Sequence, residues 1–108
     1  ALMLAAGRGD ERVVELLLQR GAEFNLQNTH GDTALMMAAM EGRERVVELL
    51  LQCGAKVKLQ NSIGFTALML AAGRGDERVV ELLLRQARAA RRGDQPAQQR
   101  RVHRADGR

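Results

Sequence analysis

The sequence predicts an all-α repeat stack, in which short helix-turn-helix units lie side by side and are joined by hairpin loops. The first indication is repetition, because the string Ala1–Leu18 returns letter for letter at Ala67–Leu84. The second is a near copy at Ala34–Leu51, so that the three copies begin 33 residues apart. The third is composition, since there is no Trp or Tyr and only two Phe. A core of Leu, Ala, Val and Met favours closely packed helices over a β-sandwich.

The first helix of a unit is clearest in the middle copy, where it is predicted over residues 34–41. Thr33 precedes it as the expected N-cap, because its hydroxyl can accept a hydrogen bond from a free amide of the first turn. Gly42 is expected to end it in the left-handed conformation. The residues expected to face neighbouring helices are Leu35, Ala38 and Ala39.

The second helix of the middle unit is predicted over residues 44–53, with Gly54 ending it as Gly21 does in the first unit. Its apolar residues recur at helical spacing and predict one buried stripe. This stripe consists of Val46, Val47, Leu50 and Leu51. Neither helix is long enough to be stable alone in water, so each unit needs a neighbour.

The linker after the second helix, residues 55–65, is extended and polar. Asn61 and Gly64 are the expected turn formers. Val57 and Leu59 alternate with polar neighbours, which predicts a short hairpin arm.

These residues resemble the ankyrin repeat, and the chain is similar to a short fragment of such a domain with about three repeats. The resemblance covers residues 1–86 and implies a stack of helix-turn-helix units joined by β-hairpin loops. The matching positions of the middle unit, in order, are Gly31, Thr33, Leu35, Ala38, Ala39, Gly42, Val47, Leu50, Leu51, Gly54 and Ala55.

The chain departs from the family pattern at several positions. Ala34 and Ala67 replace its Pro at the helix start, and Met36 and Met69 replace its His. Asn replaces the turn Asp twice, which is a mild change because Asn forms the same turn. We therefore expect the fold to persist with lower stability than a consensus array. The remaining substitutions are Asn28, Asn61 and Lys58.

We predict one repeat domain over residues 1–92, comprising a partial repeat 1–32, a repeat 33–65 and a repeat 66–92. In the last repeat, Ala87-Arg88 stands where the earlier units have Gly21-Ala22 and Gly54-Ala55. Without that stop, the last helix is expected to extend to about Arg92, where Gly93 can end it. Residues 93–108 are expected to form a disordered basic tail. The absence of an initiator Met leads us to expect a fragment of a longer protein.

The resemblance implies a non-catalytic module that binds another protein through its hairpin tips and inner helices. Ile63 and Phe65 attract most interest, because they flank Gly64 at a tip that should be hydrated. The alternative is that Phe65 packs on the neighbouring hairpin. The implied protein-binding positions are Gln27, Thr29, His30, Asp32, Met40, Glu41, Gln60, Ser62, Ile63, Phe65 and Arg74.

The charge of the chain is unevenly distributed. Residues 1–86 hold 10 Lys/Arg and 11 Asp/Glu, whereas residues 87–108 hold 7 Arg and 2 Asp. The near-neutral repeat region argues against a nucleic-acid-binding fold, since affinity for phosphates requires a basic face.

Two alternative functions remain open: contact of the Arg-rich tail with nucleic acid or an acidic partner, and a docking or regulatory role within a larger enzyme or channel.

No catalytic, cofactor or metal site is predicted. Cys53 is alone, and His30 and His103 have no ligand spacing around them. Arg-Gly-Asp occurs at 8–10, 74–76 and 92–94, where it is similar to an integrin-recognition motif, but two copies belong to the duplicated turns.

We expect that the protein has no small-molecule substrate and no membrane span, and that it is a monomer. Its expected location is intracellular and cytoplasmic, with the nucleus as the alternative.

Overall fold

The computed structural model describes residues 1–91. Within this range it contains six helices arranged as three pairs, and no strand. The predicted all-α repeat stack is confirmed. The helices are α1 (Leu2–Arg8), α2 (Glu11–Gln19), α3 (Ala34–Met40), α4 (Glu44–Gln52), α5 (Ala67–Arg74) and α6 (Glu77–Arg91).

The helices form two rows that follow the order of the units. The first helix of each unit packs on the first helix of the next, and the second helices form a parallel row behind them. Val14 and Val47 occupy the same position in consecutive units and are fully buried. Val80, the third member of this row, is half-buried because no further described unit lies beyond it. The units are therefore translated copies that share one continuous core.

The middle unit contains the predicted buried stripe. Val46, Val47, Leu50 and Leu51 are all buried. Leu35, Ala38 and Ala39 of α3 are buried as well, as predicted for residues that face neighbouring helices. Because alanines are small, they allow the helices of adjacent units to approach closely.

The predicted N-cap of α3 is confirmed. The Thr33 hydroxyl accepts a hydrogen bond from the Met36 amide at 3.2 Å, and Thr66 does the same for Met69 at 3.3 Å. The amides in the first turn of a helix have no hydrogen-bond acceptor within the helix. Each threonine hydroxyl provides an acceptor for one of them. Ala1 precedes α1 and provides no such bond.

The second helices differ at their start. Asp76 accepts a hydrogen bond from the Val79 amide at 3.2 Å, and Asp10 caps α2 in the same way. Arg43 takes this position before α4 and makes no side-chain cap bond. Its Nε donates instead to the Gly7 carbonyl of the first unit at 3.0 Å. The middle unit thus replaces a local cap with a contact between units.

The predicted glycine stops are also confirmed. Gly42 and Gly54 follow α3 and α4 with φ of 70° and 97°. Both values lie in the left-handed region, which residues with a Cβ resist. Gly21 stops α2 in the same way, but Ala87 occupies its place in the third unit. Helix α6 accordingly continues through Arg91; its predicted end and the predicted tail lie outside the described residues.

The hairpin arms differ from the prediction. Val57 and Leu59 pack against the core as half-buried residues, but residues 1–91 contain no β ladder. After the turn only Phe65 remains before Thr66 caps α5, so the returning arm is too short to pair beyond Asn61. The alternation reflects partial burial of a linker and not a paired strand.

Among residues 1–91, no helix has the length and apolar character that crossing a bilayer requires.

Candidate protein-binding surface

Two turns project from the stack, one before α3 and one before α5. We call Asn28–Asp32 the polar tip and Asn61–Phe65 the apolar tip. In the apolar tip, the Asn61 side-chain oxygen accepts hydrogen bonds from the amides of Ile63 at 3.1 Å and Phe65 at 2.9 Å. The Asn61 amide also donates to the Phe65 carbonyl at 2.9 Å. One asparagine therefore closes the turn, as the sequence predicted.

The polar tip has the same construction. The Asn28 side-chain oxygen accepts hydrogen bonds from the amides of His30 at 2.9 Å and Asp32 at 3.0 Å. Asn in place of the family's Asp thus keeps the acceptor that forms the turn. It also adds a donor, because the Asn61 side-chain nitrogen donates to Asp32 Oδ1 at 3.0 Å. The substitution links the two tips directly.

Further hydrogen bonds fix the tips relative to each other. The Ser62 amide donates to the His30 carbonyl at 2.9 Å. The Gln27 side-chain nitrogen donates to the carbonyls of Gly31 and Gln60, each at 2.9 Å. The two turns are therefore held together by main-chain and side-chain contacts, and neither is an independent loop.

Gly31 is required where the tips approach each other. Its φ is 78°, and a Cβ at this position would lie 2.8 Å from the Ser62 amide nitrogen. Both the left-handed backbone and the lack of space exclude a larger residue. This close approach gives a physical reason for a glycine at position 31.

The predicted binding residues fall into two groups. Asp32 and Met40 are half-buried, and the rest are exposed. Gln27 and Asp32 already engage in the contacts between the tips. Arg74 lies across the turn between α3 and α4, since a Cβ at Gly42 would come within 2.5 Å of Arg74 Nε. The exposed members are Gln27, Thr29, His30, Glu41, Gln60, Ser62, Ile63, Phe65 and Arg74.

The apolar tip exposes large side chains. Ile63 is 71% exposed and Phe65 is 42% exposed. At the same positions the polar tip carries His30 and Asp32. The two tips therefore share one backbone geometry and present different chemistry, which is how a repeat protein varies its surface at constant fold.

Sequence reasoning missed one exposed residue near the tips. Leu26 is 58% exposed, although its counterpart Leu59 is half-buried. The repeat pattern treats these two leucines as equivalent. The linkers that contain them differ in the three preceding residues, which are Glu23-Phe24-Asn25 before Leu26 and Lys56-Val57-Lys58 before Leu59.

The cysteine, the metal-ligating residue types and the Arg-Gly-Asp strings noted in the sequence show no sign of a reactive or metal-binding site within residues 1–91. Burial raises the pKa of the Cys53 thiol, which keeps it protonated and weakly nucleophilic at neutral pH. Within residues 1–91 no group of three His, Cys, Asp or Glu side chains gathers as a metal site requires. Asp10 and Asp76, from two of the three Arg-Gly-Asp strings, cap helices; the string at 92–94 lies beyond the described range.

Comparison with known protein families agrees with this architecture. A family model described as ankyrin repeats matches residues 2–94 as three copies. The chain therefore belongs to the ankyrin-repeat family. Proteins of this family are typically non-catalytic, and their repeats generally act as protein–protein interaction modules. No curated protein matches the chain.

Proposed function

We propose that the chain is a non-catalytic protein-interaction module that presents its tips and inner helices as a rigid binding surface. The observation that carries this proposal is the apolar tip, where Ile63 and Phe65 are exposed on a turn with a fixed backbone. Exposed apolar side chains at a fixed tip are suited to fill a pocket on a partner.

Rigidity supports the proposal. A loop that is ordered only on binding loses conformational entropy, which reduces affinity. Here the Asn61 turn and the contacts from Ser62 and Gln27 order the tip before any partner arrives. The binding energy of the apolar side chains is then available for association.

The partner expected from this chemistry is a protein with an apolar pocket near polar groups. Ile63 and Phe65 would enter the pocket. Exposed polar residues, including Ser62 and Gln60, lie beside them and can form the hydrated rim of the contact.

A capture experiment with matched variants tests the proposal. The immobilised chain is compared with Ile63→Ser/Phe65→Ser, and partners retained by the wild type are identified, purified and titrated. We expect the double variant to lose roughly 10–100-fold in affinity, the range for removal of interface anchors. His30→Ser alters the matching position of the polar tip and is expected to cost less.

Helicity distinguishes a binding role from a structural one. The double variant should retain the far-ultraviolet circular dichroism of the wild type, because its two side chains are exposed. Loss of helicity would show that they belong to the core. Retained helicity with unchanged affinity would contradict their role in binding.

A further inference from the structure

The hydrogen bonds between the polar tip and the apolar tip differ in their chemistry. The Ser62 amide donates to the His30 carbonyl, and the Gln27 side chain donates to two carbonyls, so that all of these groups are neutral. The Asn61 side-chain nitrogen donates instead to a carboxylate oxygen, Asp32 Oδ1, at 3.0 Å. A hydrogen bond to a charged group is about twice as strong as one between neutral groups. Within residues 1–91 it is the only hydrogen bond between the tips in which a charged group takes part.

Burial further strengthens the bond between Asn61 and Asp32. Both residues are half-buried. Partial removal from water strengthens a hydrogen bond, because solvent competes less for the donor and the acceptor. The pair therefore has the burial of a structural contact, whereas the side chains beside it are accessible to a partner. These exposed neighbours are Thr29, His30, Ser62 and Ile63.

Asn61 acts in both tips at once. Its side-chain oxygen accepts from the amides of Ile63 and Phe65 and closes the apolar tip, while its side-chain nitrogen holds Asp32 of the polar tip. An aspartate at position 61 could still close the turn with its oxygens. It would have no hydrogen to donate, however, and its charge would repel that of Asp32. The asparagine therefore couples the geometry of one turn to the position of the other.

Asp32 contributes the other half of this coupling. Its repeat position predicts a residue that binds a partner directly. In the structure its amide donates to the Asn28 side-chain oxygen at 3.0 Å, which fixes its backbone within the polar tip. Its carboxylate accepts from Asn61 of the apolar tip. These contacts give Asp32 a role that is exerted through Asn61.

We propose that Asp32 and Asn61 are positioning residues, whose hydrogen bond makes the two tips one binding surface that a partner contacts as a unit. The partner then carries an apolar pocket for Ile63 and Phe65 and, directly beside it, hydrogen-bonding groups for the exposed polar tip. This assignment rests on the proposed function, to which it adds the polar tip as the second half of the contact.

Backbone amide exchange in the full 108-residue chain, measured by NMR at neutral pH, tests the coupling without a partner. The Ser62 amide reports the contact between the tips, because it donates to the His30 carbonyl. Asn61→Asp should raise its exchange rate at least about tenfold, since a charge-assisted bond is replaced by repulsion. The Ile63 and Phe65 amides should stay protected, because the turn keeps its acceptor. Unchanged exchange of the Ser62 amide would overturn the coupling.

An exchange of the two side chains separates a specific bond from a general disturbance. In Asp32→Asn/Asn61→Asp the new asparagine can donate to the new carboxylate, so the Ser62 amide should regain most of its protection. Asn25→Asp is the matched control. The Asn25 oxygen also joins two units, by accepting from the Lys56 amide at 2.8 Å, and an aspartate keeps that acceptor. A double variant that exchanges as fast as Asn61→Asp, or an equal effect of Asn25→Asp, would contradict the assignment.

Affinity for the partner purified in the capture experiment tests the functional consequence. Asn61→Asp should weaken binding about five- to tenfold although Ile63 and Phe65 are unchanged, and the side-chain exchange should restore it. Full affinity of Asn61→Asp, with loss in Ile63→Ser/Phe65→Ser, would overturn the positioning role and leave the proposed function intact. Unchanged affinity of Ile63→Ser/Phe65→Ser would overturn the proposed function, while the exchange of the Ser62 amide still decides whether the pair joins the tips.

Discussion

The first and third units contain the same residues and bury different ones. In Ala1–Leu18 the buried side chains are Leu2, Ala5, Ala6 and Val14, whereas in Ala67–Leu84 they are Ala67, Ala71, Val79 and Leu83. Only the position shared by Ala5 and Ala71 is buried in both. Since the two sequences are identical, the difference arises from their neighbours along the stack.

This difference shows that a unit of this chain has two apolar faces and cannot cover both by itself. Helices α3 and α4 of the middle unit cover one face of the first unit. They also cover the opposite face of the third unit. Stability therefore depends on nearest-neighbour contacts, as expected for a stack of repeats. The middle unit, covered on both sides, should be the most stable part of the molecule.

The largest expected loss of unfolding free energy comes from truncating a side chain of the middle unit, which has a neighbouring unit on both sides. Leu50→Ala should destabilise the chain by about 2–5 kcal/mol, because it leaves a cavity in the continuous core. Leu16→Ala, at an exposed position of the first unit, should cost much less. Urea unfolding followed by circular dichroism measures both, and equal losses would show that the middle unit is not the centre of the core.

Identical valines at the two ends give a sharper comparison. Val79→Ala should cost about 2 kcal/mol, because Val79 is fully buried on the middle unit. Val13→Ala changes the same residue in the same local sequence and should cost about half of that or less. Equal unfolding midpoints for the two variants would mean that the local sequence, and not the neighbouring unit, determines the contribution.

A smaller effect is expected at the start of α5. Thr66→Ala makes this helix resemble α1, which lacks a side-chain cap, and should cost about 1 kcal/mol. Thr66→Ser retains the hydroxyl and should stay close to the wild type in thermal unfolding. If both substitutions cost the same, the hydrogen bond to the Met69 amide would not be the source of the stabilisation.

The smallest effect concerns the exposed ion pair between units. A double-mutant cycle with Glu11→Gln and Arg45→Gln should give a coupling of about 0.2–1 kcal/mol that decreases in high salt. Its size is limited because both side chains are more than half exposed. A coupling that does not respond to salt would indicate that the contact is not electrostatic.

Much of the fold was predictable because its determinants are local. Thr33 and Gly42 mark the ends of α3, and the spacing of Val46, Val47, Leu50 and Leu51 indicates one buried stripe. Replacement of the stop glycine by Ala87 predicted the longer last helix. Each of these features depends on residues within one or two turns of each other.

The remaining features depend on contacts between units, which a repeat pattern does not contain. The pattern treats Val13 and Val79 as equivalent, although only one is buried. It gives no sign that Arg43 reaches the Gly7 carbonyl or that Gln27 joins the two tips. It also suggested a paired arm at Val57 and Leu59, where the short return to Thr66 leaves no room for one.

Amide hydrogen exchange measured by NMR tests the central claim most directly. The sequence from Glu to Leu is the same in Glu11–Leu18, Glu44–Leu51 and Glu77–Leu84, so the intrinsic exchange rates are closely matched. At concentrations where the chain is monomeric, the amides of α4 should exchange more slowly than the corresponding amides of α2 and α6, because local stability follows coverage by neighbours. Equal protection of the three copies would contradict the account.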